Sequence, residues 1–375
     1  MSNNLKITLG SKELPKAINF ISSIADMFSA KIGGVTQSDN ILLEANKGKL
    51  YCVYAKQGVF VKVRVPATVE SDGYLIAQPT FLSTLPNRAK ELSIELNKDD
   101  ENSTIMKWKN GSSAGNLVVS DDKSSIENNS FDKSIIPTDS VTLNGESISR
   151  IINNILFDSS DERIDKKIGL PVTIKSKKGK AVIQTNDAFC AVVCNTTIEN
   201  DSKIDIITQG LLLQRVFSVF KEDVEFSSNE SVTRLKGKNF EVIGTTSNFE
   251  KKDIVAWLEA REKPTNVATI KTKDICGLIE DVIVVSKLAN IDPIISLKFK
   301  KDKLTITNAS ELGKSFSIAK ASYKKEEEYR FNGKWFSQFA SKLAKGEDII
   351  FKVYGKACVI SNEKEDVKCI VPMVG

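Results

Sequence analysis

Tyr329-Arg-Phe-Asn-Gly-Lys-Trp-Phe-Ser-Gln-Phe-Ala-Ser-Lys-Leu343 begins the last segment of the sequence, which ends in the apolar tail Cys369-Ile-Val-Pro-Met-Val-Gly375. The apolar residues Trp335, Phe336 and Phe339 recur at intervals of three and four, which predicts an amphipathic helix. The runs that follow this helix predict strands. Because free chain ends are normally polar, we expect the apolar tail to be docked on the rest of the protein.

Length and composition indicate a folded protein of several domains. The chain has 375 residues, of which 41% are hydrophobic, and this length suits two or three domains. No run approaches the ~20 apolar residues of a membrane span, and the start, Met1-Ser-Asn-Asn-Leu-Lys6, lacks the features of a signal peptide. We therefore expect a cytoplasmic protein that does not bind a membrane.

The sequence lacks the residues on which much catalytic chemistry depends. It contains no histidine, which excludes Ser-His-Asp and Cys-His catalysis and H-E-x-x-H zinc sites. The six cysteines are scattered, and the sequence has no Walker loop, G-x-G-x-x-G motif or EF-hand loop. We expect no enzyme, no cofactor and no metal site. An enzyme that uses pairs of Asp and Glu is an alternative.

Polar, turn-rich segments at Asp121 to Thr138 and Ser247 to Thr265 divide the chain into three pieces of similar size. We place the domains at 1–136, 137–262 and 263–375. Each piece has the same order of a strand, a helix, a hairpin, a second helix and further strands, which indicates an internal repeat. The predicted fold class is therefore α+β, with two helices and antiparallel sheets in each domain.

The internal repeat is clearest in the sequences of the hairpin turns. They have the sequences Asn46-Lys-Gly-Lys-Leu50, Lys177-Lys-Gly-Lys-Ala181 and Lys300-Lys-Asp-Lys-Leu304, where Gly or Asp supplies the positive φ that a tight hairpin requires. The helices are predicted at Leu14–Phe28, Pro79–Arg88, Ile148–Phe157, Gln209–Phe220, Ile275–Leu288 and Lys334–Leu343.

Basic residues are concentrated on or beside the predicted helices. With 53 basic and 48 acidic residues the net charge is only +5, so any DNA contact depends on position rather than bulk charge. A solubilising helix face is the alternative for each lysine. Phosphate contacts from helices would bind DNA without reading its sequence. The candidates are Lys31, Arg150, Arg163, Lys166, Lys167, Arg215, Lys221, Lys287 and Lys342.

The three repeats and the tail together resemble the bacterial-type DNA sliding clamp, the beta subunit of the replicative DNA polymerase. Phe331-Asn-Gly-Lys-Trp335 is similar to the Phe-Asn-x-x-Tyr of that family, and Cys369-Ile-Val-Pro-Met-Val-Gly375 is similar to its chain end. Gln184-Thr-Asn-Asp-Ala-Phe-Cys-Ala191 is similar to its second-domain strand. The resemblance implies three clamp-type domains that form half of a closed ring, a head-to-tail homodimer that encloses double-stranded DNA.

The resemblance also implies two protein-binding surfaces. Short linear motifs of a DNA polymerase and a clamp loader would dock between the second and third domains, where Met and Trp side chains form an adaptable apolar groove. The implied groove residues are Ile168, Thr185, Asp187, Ala188, Cys190, Asn332, Trp335, Cys358, Cys369, Val371, Pro372, Met373 and Val374. The implied dimer interface consists of Phe81, Leu85, Leu117 and Val119 of the first domain and Val284 and Val285 of the third.

The sequence departs from the family at three points. The Gly-His-Arg of the second-domain strand is absent, the terminal Arg-Leu is replaced by Val374-Gly375, and an expected basic pair is replaced by Thr208-Gln209. Such divergence suits a clamp encoded by a bacteriophage for its own polymerase. A β-rich structural repeat protein, such as a virion component, is the alternative without a DNA role.

Overall fold

A computed structural model describes residues 4–28, 39–56, 58–98, 103–127, 135–137, 140–159, 162, 164–166, 169–197, 204–246, 252–261, 263–271, 274–343 and 347–374. Four predicted site residues lie outside these ranges: Lys31, Arg163, Lys167 and Ile168. In the part of the chain that is described, no helix is long and apolar enough to cross a membrane.

The first repeat contains β1 (Lys6–Gly10), α1 (Glu13–Phe28), β2 (Ile41–Asn46), β3 (Lys49–Lys56), β4 (Val59–Val65), β5 (Ala67–Ser71), β6 (Gly73–Ala77), α2 (Pro79–Thr84), β7 (Glu91–Lys98), β8 (Thr104–Asn110), β9 (Ser113–Val118) and α3 (Ser124–Glu127). Pro79 suits the first turn of α2 because its φ is already helical. The helix ends at Thr84, before the predicted Arg88, since Pro86 forces Leu85 into an extended conformation with ψ 139°.

The second repeat contains β10 (Val141–Leu143), α4 (Gly145–Ile155), β11 (Pro171–Lys177), β12 (Lys180–Asn186), β13 (Ala191–Thr197), β14 (Ile204–Gln209), α5 (Gly210–Val219), β15 (Val224–Ser228), β16 (Val232–Lys236), β17 (Phe240–Thr245) and α6 (Ile254–Glu259). Glycine is required at the start of α4, because a Cβ on Gly145 would lie 2.2 Å from the carbonyl oxygen of Glu222. The helix α6 lies within the segment predicted to be a connection, and the carboxylate of Asp253 caps it by accepting the N–H of Ala256.

The third repeat contains β18 (Asn266–Lys271), α7 (Ile275–Val282), α8 (Val284–Leu288), β19 (Ile294–Lys300), β20 (Lys303–Ser310), β21 (Gly313–Tyr323), β22 (Glu328–Asn332), α9 (Gly333–Ala340), β23 (Ile349–Tyr354), β24 (Ala357–Asn362) and β25 (Val367–Pro372). The predicted helix Ile275–Leu288 is divided at Ile283, whose ψ of −1° departs from the helical value of about −42°, although its N–H still donates to the carbonyl of Ile279. The repeated order of elements is confirmed.

The three hairpin turns are built as predicted. Each places two consecutive residues at positive φ, the conformation of a type I′ turn, whose twist matches that of the flanking strands. The pairs are Lys47 (φ 51°) with Gly48 (72°), Lys178 (52°) with Gly179 (73°), and Lys301 (52°) with Asp302 (55°).

The chain forms two compact units. The first comprises the described residues within Met1–Ser149, Lys166–Ile168 and Leu211–Asn248. It contains a five-stranded sheet in the order β5-β1-β7-β8-β9 and an eight-stranded sheet in the order β10-β15-β16-β17-β4-β3-β2-β6. The last strand of the second repeat joins the first repeat here, because β17 pairs with β4 and places Glu241 opposite Lys62.

The second unit comprises the described residues within Arg150–Asp165, Gly169–Gly210 and Phe249–Gly375. Its strands form one twelve-stranded sheet in the order β14-β11-β12-β13-β25-β24-β23-β18-β21-β20-β19-β22. β25 pairs with β13 and places Lys368 opposite Val193. Since the second repeat contributes strands to both units, the domain limits 1–136, 137–262 and 263–375 stay a prediction. The α+β fold class is confirmed.

Candidate functional site

The residues implied to line a groove come together in the second unit, where the β12–β13 loop, α9 and the end of β25 meet. The loop is held rigidly by Asp187, whose Oδ1 accepts the N–H groups of Phe189 and Cys190 at 2.7 and 2.6 Å. The other carboxylate oxygen of Asp187 accepts the hydroxyl of Ser159 at 2.6 Å. Asp187 is buried, and its carboxylate positions the loop.

The loop presents Phe189 to solvent beside Trp335 of α9. Their rings stack with centroids 6.3 Å apart and an angle of 20° between the planes, and Phe189 is 56% exposed. Asn332 caps α9 by accepting the N–H of Trp335 at 3.2 Å, so it fixes the start of the helix that carries the indole. The sequence analysis missed Phe189, although it stands between Ala188 and Cys190 in the strand on which the resemblance rests.

The chain end forms one side of the groove. Beyond β25, Met373 donates its N–H to the carbonyl of Lys356 at 3.0 Å and Val374 donates its N–H to the carbonyl of Arg330 at 2.8 Å. The expected docking of the tail is therefore confirmed as far as Val374. Pro372 and Met373 are half-buried, and Val374 is exposed.

Several of the implied groove residues form its floor rather than its surface. Cys358, Cys369 and Val371 are fully buried, and burial raises the pKa of the Cys369 thiol to about 12. The thiol of Cys369 lies 3.7 Å from the carbonyl oxygen of Phe339. Thr185 is also fully buried and donates its hydroxyl to the carbonyl of Pro171 at 2.8 Å. The groove residues that stay at least partly exposed are mainly apolar: Ala188, Asn332, Trp335, Pro372, Met373 and Val374.

The helix α6 covers the sheet near the pairing of β13 with β25. Its residues Ile254, Trp257 and Leu258 pack on a buried cluster formed by Ala191, Val359 and Ile370. The guanidinium of Arg261 lies 4.0 Å from the centre of the Trp257 ring. Sequence analysis missed this helix because its segment is short, charged and followed by Lys263-Pro264.

Two of the residues predicted to contact DNA, Lys342 and Lys221, instead donate hydrogen bonds from their ammonium groups to the ends of helices. Lys342 donates to the carbonyls of Asn153 and Leu156 at the end of α4, and burial lowers its pKa. Lys221 donates to the carbonyl of Phe217 in α5 and to the hydroxyl of Ser149, the latter at 2.6 Å. Such contacts satisfy the free carbonyls of a helix end. Both lysines therefore have a structural role that the sequence did not reveal.

The other described candidates differ in exposure. Arg215 is half-buried; desolvation lowers its pKa, and the nearby Asp26 opposes that change. Arg150, Lys166 and Lys287 are exposed. These three side chains are therefore the ones available for contact with phosphate groups.

The implied interface residues also differ in exposure. Leu117 and Val284 are 38% and 45% exposed, Phe81 and Val285 are half-buried, whereas Leu85 and Val119 are buried in the single chain. The structure adds further exposed apolar residues on β9, α8 and β21 and in the adjoining turns, which sequence analysis did not identify: Val118, Leu288, Ile291, Leu312, Phe316 and Ile318.

No group of three or more Cys, Asp or Glu residues that could hold a metal ion occurs within the described ranges. No family model and no curated protein matches the chain in sequence.

Solved structures do match it over their whole length. The Caulobacter crescentus beta sliding clamp aligns with a TM-score of 0.79 and 16% identity, covering 100% of this chain and 99% of that one. The Bacillus subtilis DNA polymerase sliding clamp aligns with a TM-score of 0.79 and 15% identity, covering 100% of both. This chain has the bacterial sliding-clamp fold. The DNA polymerase III beta subunit from Thermotoga maritima aligns with a TM-score of 0.75 and 15% identity, covering 99% of both chains. The resemblance to the sliding clamp is thus confirmed for the fold, over a large distance in sequence.

Proposed function

We propose that the chain is a DNA sliding clamp: a non-enzymatic, cytoplasmic processivity factor that encloses double-stranded DNA as a head-to-tail homodimer and tethers a DNA polymerase and its clamp loader. The clamp fold over the whole chain supports this proposal. The observation that carries it concerns strand pairing between repeats. The chain makes one kind of pairing twice, and two further strands of the same kind lack a partner.

Both internal pairings follow one rule. In each, the last strand of one repeat pairs with the strand that follows the first hairpin of the preceding repeat: β17 with β4, and β25 with β13. The corresponding strands without such a partner are β9, the last strand of the first repeat, and β21 of the third. β9 ends its sheet, and residues 313–319 of β21 pair only with β20 among the described residues.

The two open edges are apolar. Val118 on β9 is 65% exposed, and Phe316 and Ile318 on β21 are 65% and 50% exposed. An exposed apolar edge strand invites pairing with another chain. If β9 of each copy pairs with β21 of the other, the dimer contains two such contacts and neither edge stays open. A heterologous contact of this kind gives a closed ring when the rotation between copies closes.

The internal pairings also define a register. In both, the second residue of the last strand, Glu241 or Lys368, lies opposite Lys62 or Val193, which is three positions after the residue that closes the turn before its strand. The closing residues are Val59, paired with Lys56, and Cys190, whose carbonyl accepts the N–H of Asp187; Gly313, paired with Ser310, closes the corresponding turn of the third repeat. The same rule places Ala114 of one copy opposite Phe316 of the other. Both side chains are exposed in the single chain. Pairing would therefore bury Phe316 against the neighbouring sheet.

Helices support the same arrangement. In the first unit, Phe20 of α1 contacts Phe220 beyond α5 with ring centres 5.1 Å apart; in the second, Phe157 beyond α4 contacts Phe339 of α9 at 4.9 Å. By the same rule, the helices that correspond to these at the open edges are α7 and α8 in the third repeat, which contains β21, and α2 in the first repeat, which contains β9. The helices α7 and α8 carry Val284, Val285 and Leu288, and α2 carries Phe81, so these residues would form the apolar contact between copies. Leu85, which follows α2, is buried in the single chain and would support this contact from below.

DNA would be held by enclosure and by weak contacts from Arg150, Lys166 and Lys287. Few phosphate contacts give salt-sensitive, non-specific binding, which permits sliding. The groove around Phe189, Trp335 and Met373 would take a short apolar peptide of the polymerase. The Caulobacter crescentus clamp carries polyethylene glycol at a proposed beta-motif tethering region, which supports a ligand site on this fold.

Retention on circular DNA tests the function. The purified chain is loaded on nicked circular duplex DNA, with a loader supplied if required, and isolated by gel filtration before and after linearisation. Retention on circles with loss after linearisation supports enclosure. Equal retention on both forms, or a monomeric mass by sedimentation equilibrium at micromolar concentration, would overturn the ring and favour a structural repeat protein.

A further inference from the structure

Four lysines stand side by side on the outward face of the twelve-stranded sheet. Lys271 of β18 lies opposite Lys320 of β21, Lys320 lies opposite Lys303 of β20, and Lys303 lies opposite Lys300 of β19. Directly opposed residues project from the same face of a sheet. All four are exposed, and we refer to them as the lysine row.

The lysine row has an unfavourable arrangement of charge. Like charges directly opposite one another destabilise a sheet. Elsewhere on this face Lys298 pairs with Glu328 at 3.7 Å, but none of the four row lysines has an ion-pair partner among the residues that the structure describes. The row therefore concentrates positive charge without an ion pair in the described part of the chain, although Asp302 adjoins it in the β19–β20 turn.

The other repeats show that the clamp fold does not require this row. At the corresponding hairpin of the second repeat, Lys177 lies opposite Lys180, but Lys180 then lies opposite Thr197. In the first repeat, Asn46 lies opposite Lys49. The charge thus follows from the sequence of the third repeat alone.

A carboxylate residue lies beyond each end of the lysine row. Beyond Lys271, Asp348 immediately precedes β23, whose Ile349 lies opposite Ile270. Beyond Lys300, the Glu326 carboxylate accepts the N–H of Lys301 at 3.4 Å. With strands ~4.8 Å apart, the four lysines span only about 14 Å.

We propose that the lysine row binds a short acidic segment of a partner protein. Side chains of Asp and Glu would pair with the four ammonium groups, and the hydroxyls of Thr269, Thr305 and Ser322 stand nearby on the same strands. A nucleic acid fits less well, because its backbone would continue over Asp348 or Glu326. The row also lacks an aromatic ring for base stacking. This proposal does not depend on the clamp function.

A fluorescein-labelled twelve-residue peptide rich in Glu and Asp is titrated with the intact chain, and anisotropy is measured at low and moderate salt. The variant with Lys303→Gln and Lys320→Gln removes two charges from the row. The control with Lys177→Gln and Lys180→Gln removes the same charge from the second repeat. We expect the row variant to bind about tenfold more weakly and the control less than about twofold more weakly than the wild type. The variant with Lys303→Arg and Lys320→Arg, which keeps both charges, should bind like the wild type.

Two outcomes would overturn the proposal. Equal weakening in both double variants would mean that net charge alone attracts the peptide. A single-stranded oligonucleotide of equal charge that bound more tightly, with the same dependence on Lys303 and Lys320, would assign the row to nucleic acid. Because all the substituted lysines are exposed, circular dichroism should show the same fold in every variant.

Discussion

The ring of Phe189 stacks on the indole of Trp335, with centroids 6.3 Å apart, and so joins a loop of the second repeat to a helix of the third. Phe189 is the more exposed partner, and Asp187 holds its backbone in place through two N–H groups. The pair presents an aromatic surface, and Met373 of the chain end is a flexible, half-buried side chain of the kind that can adapt to a ligand.

Replacing either aromatic residue should weaken peptide binding. For apolar peptides enriched from a random heptapeptide library on the intact chain, Phe189→Ala and Trp335→Ala should each raise the dissociation constant at least about tenfold, as central aromatic contacts do. Isothermal titration measures the change. Val219→Ala shortens an exposed apolar side chain in the first unit and should have no effect. Unchanged binding by both groove variants would place the peptide site elsewhere.

Cysteine cross-linking tests the proposed register. A chain with Ala114→Cys and Phe316→Cys should form interchain disulfides on mild oxidation, because opposed residues bring their Cα atoms within the range that a disulfide spans. Non-reducing electrophoresis measures the yield. The control, Ala114→Cys with Ile318→Cys, shifts one partner by two residues and should cross-link poorly. A higher yield from the control would reject the register.

Replacing Lys342 should reduce stability. Lys342→Gln removes an ammonium group that binds two carbonyls at the end of α4, and we expect the free energy of unfolding to fall by about 1 to 2 kcal/mol. Urea unfolding followed by circular dichroism measures this. Lys287→Gln, an exposed position on α8, should change stability by less than about 0.5 kcal/mol. Equal stability of the two variants would contradict the structural role of Lys342.

Asp253 should make stability depend on pH. The N–H of Ala256, and then the ammonium of Lys175, lower the pKa of Asp253 below its ordinary 3.8. Its ionised form therefore stabilises the folded chain above about pH 3.8, and this contribution disappears as the pH falls through the lowered pKa. Asp253→Asn keeps a capping side chain but removes the charge, so it should cost about 0.3 to 1 kcal/mol at pH 7, the usual value of a carboxylate at a helix N-terminus.

Urea unfolding of wild type and Asp253→Asn from pH 7 to pH 2 measures this contribution. The difference between the two proteins should be constant at neutral pH and shrink in acid. Glu259→Gln, on the exposed face of the same helix, should have little effect at pH 7. A difference between wild type and Asp253→Asn that grew as the pH fell would have the wrong sign for a stabilising carboxylate.

The sequence predicted those parts of the fold that depend on local chemistry. Positive φ at Gly48, Gly179 and Asp302 follows from the turn residues themselves, and the apolar spacing of the last helix follows from its contact with the core. The break at Ile283 was not predictable from spacing, because the apolar pattern continues through it.

The groove was predictable only in part. The resemblance identified the loop and the tail, whereas the burial of Cys358 and Thr185 is a property of the folded sheet, in which Cys358 lies opposite Val371 and Thr185 lies opposite Val192. The same holds for Lys342: its position on a predicted helix suggested DNA contact, and only the folded chain brings its ammonium to the end of α4. Phe189 was missed because a single exposed aromatic has no periodicity.

The buried cysteines have a consequence for the reactivity of the chain. Five of the six are buried, and burial raises the pKa of the thiols of Cys52 and Cys369 to about 12. At neutral pH these groups are almost wholly protonated, so they are poor nucleophiles toward oxidants and alkylating reagents. Only Cys276 is partly accessible. The native chain can therefore carry introduced surface cysteines for selective labelling once Cys276 is replaced.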